Sequence, residues 1–265
     1  MDLILGVVYG TVQGLTEFLP VSSSGHLALL PKLMNFTDPG VSFDLWLHVG
    51  TALAIIVYFK GDLFPIVKEA PKLFNKTHQS SAKNLLINLI FATFISFIFI
   101  LFFKNLPAAT TRTPMFISIN LIVFGLLMWL SDVVGKVDDT VKFSNIQIKN
   151  SLLIGLFQAV AIFPGVSRSG VTLTIARYLG IPRHEAANFS FILSLPIVLG
   201  GMLIKVPELL EAQTIDLTLM SVGLVVSFVI GILSIHFFLK LIKKVGLGIF
   251  CFYRIILAVV ILSNL

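Results

Sequence analysis

Unbroken apolar runs at 85–103 and 219–239 constrain this chain more than any other feature. Each is close to the roughly 20 residues a helix needs to cross a bilayer core of about 30 Å. Composition agrees: 57% of the 265 residues are apolar, 12% are charged, and the mean hydropathy is +0.99. An ordinary soluble domain does not reach those values. In lipid the backbone must satisfy its own hydrogen bonds, so such runs read as helices and the class as an all-α integral membrane protein. The net charge of +6 comes from lysines in short connections between apolar runs, which argues against nucleic acid as a partner. A single cysteine, Cys251, permits no intrachain disulfide. With no basic region and no small-residue cleavage site at the N-terminus, the first apolar stretch reads as part of the mature protein.

Apolar stretches occupy about 3–34, 43–59, 85–103, 115–134, 151–180, 186–204, 217–240 and 246–263. Those at 3–34 and 151–180 are interrupted by FLPVSSSGH and FPGVSRSG, where Pro, Gly and Ser break the helical pattern into two half-helices. Lysines then set the orientation. Lys60, Lys68, Lys72, Lys76 and Lys83 in 60–84, Lys136, Lys142 and Lys149 in 135–150, and Lys240, Lys243 and Lys244 in 240–244 predict a cytoplasmic side for all three connections. The 205–216 connection carries Glu208, Glu211 and Asp216 against Lys205 and reads as external. With these sides assigned, each broken stretch must enter and leave on one face. The expectation is six full transmembrane helices plus two re-entrant hairpins, with 61–84 as an interfacial helix and mobile loop.

The two broken stretches align without a gap at an offset of 145 residues. Gly10, Gln13, Phe18, Val21, Ser22, Ser24 and Gly25 match Gly155, Gln158, Phe163, Val166, Ser167, Ser169 and Gly170, seven identities in sixteen positions. Each repeat, 1–134 and 151–265, then holds one hairpin and three spans. Three being odd, the halves run in opposite senses, an inverted-topology repeat whose broken helices place a site near the midplane.

Charged groups at that depth are costly, about 2.5–3.5 kcal/mol even on the cheaper scales for Asp, Lys or Arg, so they pair or serve a site. Glu17, His26 and Arg168 lie in or beside the broken loops, and Arg177 stands nine residues further on. Arg177 reads either as paired or as reaching the cytoplasmic surface with its head. Ser22, Ser23 and Ser24 precede one half-helix at 26–34, and Ser167 and Ser169 the other at 171–179. Serines can cap such helices. Free N–H groups at a helix start, hydroxyls and an arginine fork also make an anion cradle. Gln13 and Glu17, four residues apart, share a helix face. Ile162 stands opposite Glu17, so the site is asymmetric. His48, His78, His184 and His236 have no comparable context and read as structural or surface residues.

The segments QGLTEFLPVSSSGH at 13–26 and PGVSRSGVT at 164–172, with this length and span count, resemble the bacterial undecaprenyl-diphosphatase family, also called bacitracin-resistance proteins. The resemblance covers essentially the whole chain. It implies hydrolysis of undecaprenyl diphosphate to the monophosphate, recycling the lipid carrier of peptidoglycan synthesis in a bacterial cytoplasmic membrane, with the site opening outward. Glu17, His26 and Arg168 are then catalytic, and Gln13, Ser22, Ser23, Ser24, Ser167, Ser169, Gly170 and Thr172 bind substrate. His26 would be nucleophile or general acid/base. A divalent cation, Mg2+ or Ca2+, is implied with Glu17 as its ligand. The family carries Glu or Gln where this chain has Gln13, so only one carboxylate is available here. The partner is a polyprenyl diphosphate in membrane lipid, and homodimerisation stays open. A second lipid-phosphatase type shares S-G-H and S-R elements, but its K-x6-R-P and later H-x3-D are missing. A transporter or flippase of an anionic lipid would share the repeat, and a scaffold only the spans.

Overall fold

The computed structural model describes residues 2–36, 38–75, 77–103, 113–211 and 217–263, and every regular element among them is helical. In chain order these are α1 (Asp2–Thr16), α2 (Ser23–Met34), α3 (Val41–Tyr58), α4 (Lys60–Glu69), α5 (Ser81–Phe103), α6 (Pro114–Val134), α7 (Ile148–Gln158), α8 (Arg168–Tyr178), α9 (Arg183–Glu211), α10 (Leu217–Leu241) and α11 (Gly248–Ser263). Short 3-10 turns extend α4 through Ala70–Lys72 and α7 through Ala159–Ile162. Four helices, α5, α6, α9 and α10, are long and apolar enough to cross a membrane. α3 passes that test only together with α4, from which it is bent by 85°. The chain is thus a multi-helix membrane protein.

Both broken stretches fold as two helices around a turn, for the reason the Pro, Gly and Ser residues suggest. The second helices start earlier than their apolar pattern does, at Ser23 and Arg168. Serine hydroxyls suit a first turn because its N–H groups seek acceptors, whereas the Arg168 guanidinium, which can only donate, is held by Glu17. α9 likewise continues to Glu211, so 205–211 is helix and not connection. A helix outlasts its apolar face because its own backbone bonds do not depend on it. Residues 212–216 lie outside the described ones.

Close helix contacts come from small residues, as lipid-embedded interfaces require. Gly6, Gly10 and Gly14 line one face of α1 against α10, and a Cβ on Gly10 would stand 2.7 Å from the Gly223 carbonyl oxygen. Gly155, the 145-offset equivalent of Gly10, makes the matching contact with the Ala92 backbone of α5.

The basic connections gather at one end of the bundle. Asn88 Nδ2 donates to the Ile146 carbonyl at 2.6 Å, the Asp138 amide to that of Gly180 at 2.9 Å, and the Phe143 amide to Glu185 at 3.0 Å. Asp132 closes this end, accepting from Arg177 Nε at 2.9 Å, Arg183 Nε at 2.7 Å and the Leu247 amide at 2.8 Å. Arg177 is therefore a buried ion-pair partner and does not reach the surface. In the 70–83 segment His78 Nε2 lies 2.7 Å from Glu69, and Lys83 Nζ donates to the carbonyls of Asn75 and His78. Those bonds tie down the described part of this expected mobile loop. α4 leaves Phe64 and Val67 exposed beside Lys68, the pattern of a helix lying along an interface.

Candidate active site

The two serine loops have the same local build. Ser22 and Ser167 both hold positive φ, 72° and 71°, a region costly for a residue with a Cβ. Each is a helix N-cap whose hydroxyl accepts from a glycine amide three residues on: Gly25 at 3.4 Å and Gly170 at 3.1 Å. Each also meets a second serine hydroxyl, Ser24 at 3.2 Å and Ser169 at 3.3 Å. The loops are stitched together, since Ser169 Oγ donates to the carbonyls of Glu17 and Leu19 and the Gly165 amide to Ser24 Oγ.

At their junction lies a cavity of about 350 Å³ whose polar end holds Glu17, Ser23, Ser24, His48, Ser167 and Arg168. Glu17 is its centre. Oε1 accepts from Arg168 Nη2 at 2.5 Å, and Oε2 accepts from Ser23 Oγ at 2.8 Å and Gln13 Nε2 at 3.1 Å. His48 Nε2 stands 3.3 Å from the same Oε2. Its other nitrogen, Nδ1, lies 2.7 Å from the Asp44 carbonyl oxygen. A carbonyl can only accept, so Nδ1 carries a proton, and the contact with Glu17 requires a second proton between Nε2 and the carboxylate. Among the lining residues Arg168 Nη1, Gln158 Oε1 and Thr93 Oγ1 are buried without a partner, and Gln13 Oε1, behind Glu17, is likewise unpartnered. Unsatisfied buried groups are uncommon, and three around one cavity mark it as shaped for a polar guest.

The remaining residues of interest lie around this polar end. Ser22, Ser169 and Gly170 are buried behind it as caps and stitches. Thr172 bonds the Arg168 carbonyl at 2.9 Å and Ser190 Oγ at 2.6 Å, bracing the first turn of α8 against α9. His26 turns to α11: Nδ1 donates to the Ser22 carbonyl at 2.8 Å, and Nε2 lies 2.7 Å from the Tyr253 hydroxyl, with the two rings stacked. It does not line the cavity.

The profile of the family described as bacitracin resistance protein BacA matches residues 6–260. The chain belongs to that family. It is 38% identical over 263 residues to the undecaprenyl-diphosphatase of Alcanivorax borkumensis, covering 99% of this chain and 98% of that protein. With undecaprenyl-diphosphatase 2 of Stutzerimonas stutzeri the identity is 41% over 264 residues, 99% of this chain and 98% of the other. The undecaprenyl-diphosphatase of Teredinibacter turnerae is 38% identical over 262 residues, 98% of each chain.

Two residues of this family member escape the motif reading. His48 shares the carboxylate of Glu17 from α3. Arg254 is fully buried in α11 with no carboxylate partner among the described residues, its guanidinium donating instead to the carbonyls of Leu121 at 3.0 Å, Gly165 at 2.8 Å and Val166 at 3.0 Å, with longer bonds to Asn120 and Pro20. It thereby holds backbone from both serine loops. The rule that singled out Arg168, a charge at membrane depth, applied equally to Arg254.

Proposed function

We propose that this chain hydrolyses undecaprenyl diphosphate to undecaprenyl phosphate and inorganic phosphate, recycling the lipid carrier of peptidoglycan synthesis and conferring bacitracin resistance. Its near-full-length relatives bear the name of that activity. The observation that carries the reading is Arg168: one guanidinium nitrogen rests on Glu17 and another is buried without a partner, beside serine hydroxyls in a cavity whose other walls, Thr93 and Gln158 apart, are apolar. An arginine fork flanked by hydroxyls suits the equatorial oxygens of a phosphate, and an apolar continuation suits an isoprenoid chain.

The chemistry follows from charge. As the terminal phosphate takes the Arg168 fork and the hydroxyls of Ser23 and Ser167, negative charge on its oxygens is stabilised where water is scarce. Water attacks the terminal phosphorus, the bond to the bridging oxygen breaks with its electron pair leaving on undecaprenyl phosphate, and Glu17 accepts the proton of the attacking water. Water suits the attacking role because His26 faces Tyr253, outside the cavity. His48 keeps Glu17 oriented while Arg168 shifts to the anion.

A divalent cation fits this donor set in a limited way. Among the described residues no three His, Cys, Asp or Glu side chains cluster, but the unpartnered Gln13 Oε1 adjoins Glu17. Mg2+ and Ca2+ prefer oxygen, and Mg2+ is commonly held by one or two carboxylates plus substrate phosphates. Glu17 and Gln13 would hold such an ion with the diphosphate, and it would neutralise charge on the phosphate oxygens.

The finer architecture belongs to the same proposal: six spans, two re-entrant hairpins and an inverted repeat of 1–134 and 151–265, in a bacterial cytoplasmic membrane. The matched contacts of Gly10 and Gly155 and the matched loops support it. Depth supports an outward opening. Gly201 lies eighteen residues along α9 from Arg183 at the basic end, about 27 Å at the helical rise. Purified protein in detergent should release inorganic phosphate from a polyprenyl diphosphate and leave the lipid monophosphate; no release under any divalent-cation condition would sink the reading.

A further inference from the structure

The cavity continues from Glu17 and Arg168 to an apolar end formed by Phe97 and Ile100 of α5 and Ile197, Gly200 and Gly201 of α9. The two adjacent glycines lie inside a helix, where glycine is less favourable than alanine. Other glycines inside the spans are explained by packing. A Cβ on Gly6, Gly10 or Gly14 would stand within 3.1 Å of a neighbouring helix. At Gly200 and Gly201 it would meet no heavy atom of the described residues within 4 Å. Protein packing therefore gives no reason for side chains to be absent there. A second observation in the same cavity points to a guest: Gln158 is 2% exposed and its Oε1 has no partner. At this apolar end Phe97 is about two-fifths exposed.

We propose that the Gly200–Gly201 step of α9, facing Phe97 and Ile100 of α5, is the lateral port that seats the first isoprenoid units of the lipid substrate while the diphosphate rests on Arg168. The port rests on the phosphatase reading above. A flat backbone surface at the step lets an unsaturated, methyl-branched chain leave the polar end sideways into the bilayer, so the headgroup reaches the site without the tail leaving lipid. Gln158, on the cavity wall, donates from Nε2 to Ser96 Oγ at 3.1 Å, which leaves its acceptor Oε1 to take a proton from a water or from a protonated phosphate oxygen of the guest.

Open space at the step makes the test direct, because a Cβ there meets no heavy atom of the described residues within 4 Å, and replacing glycine should favour the helix. Gly200→Leu and Gly201→Leu would be purified alongside Gly61→Leu, a control at another glycine with nothing within 4 Å but outside the cavity. Phosphate release from undecaprenyl diphosphate in detergent would be followed with thermal midpoint and oligomeric state. The port variants should keep the wild-type midpoint or exceed it and raise KM by about tenfold or more with kcat little changed, the signature of lost uniform binding. Gly61→Leu should leave KM unchanged. Wild-type KM in both port variants would overturn the port, as would a change of oligomeric state at unchanged KM, which would make the step a contact between copies. No phosphate release from the wild-type protein would instead remove the phosphatase reading itself.

Discussion

Ser23 and Arg168 stand 145 residues apart, at equivalent places in the two serine loops, and both donate to the carboxylate of Glu17. The repeat thus brings two loops to one acceptor and differentiates them: a hydroxyl from one, a guanidinium from the other. Because Ile162 occupies the position equivalent to Glu17, a single carboxylate serves both.

Arg168→Lys tests the fork. Lysine retains the charge but loses the planar array that bonds Glu17 and a phosphate together. Turnover of the lipid diphosphate should drop by roughly 10²-fold or more, within the range for loss of a transition-state donor. Turnover within a few-fold of wild type would mean that a point charge is enough.

Glu17→Gln should cost at least about 10²-fold in turnover, since it deletes the acid–base group while keeping its shape. Gln13→Glu should be much milder, and its effect should depend on metal. Gln13 now donates to Glu17 at 3.1 Å, so a second carboxylate there would repel the first unless a divalent cation lies between them. Assays with Mg2+ and with chelator separate the cases: the variant should approach wild type with the ion and fall well below it without. Equal losses in Glu17→Gln and Gln13→Glu, at saturating Mg2+ and with the fold intact, would refute this division of labour.

His48→Leu removes a partner from a carboxylate whose other cation is needed by the substrate. A severed buried pair costs about 3–5 kcal/mol. His48→Leu should lose activity strongly, and His48→Gln, which can still donate to Glu17, should recover a large part. Similar activity of the leucine variant and wild type in steady-state phosphate release would show that Glu17 is oriented without α3.

The division between what was legible in the sequence and what was not follows the kind of signal. The broken stretches were legible because Pro20, Pro164 and the flanking serines and glycines interrupt apolar runs at matching places, and membrane depth makes such interruptions expensive. Glu17, Ser23 and Arg168 were legible for the same reason. His48 was not, because a lone imidazole in an apolar helix is equally well explained by a bond to its own backbone, and it does make one, to Asp44. The link to Glu17 depends on how α3 rotates against α1, which no local pattern encodes. The continuation of α9 past residue 204 carries no apolar signal, because hydropathy tracks lipid contact and not helix hydrogen bonding.

Arg254 supplies the last prediction, because its partners are backbone oxygens that carry no sequence signal. Its guanidinium bonds the carbonyls of Gly165 and Val166 in one loop and reaches Pro20 in the other, while Nε holds Leu121 of α6. Among the described residues no carboxylate balances the charge, so the carbonyl dipoles stabilise it, and the loops are held by the same bonds. Lysine has three donors on a flexible stem and cannot serve these acceptors in one plane. Arg254→Lys should therefore fold but loosen both loops: amide hydrogen exchange at 18–25 and 163–170 should rise, and turnover should fall by about tenfold or more, because small misplacement of positioning groups is costly. Arg168→Lys, with the same change of charge geometry inside the cavity, should leave that exchange near wild type. If Arg254→Lys exchanged and turned over like wild type, the clamp would be dispensable and the loops would owe their shape to the serine caps alone.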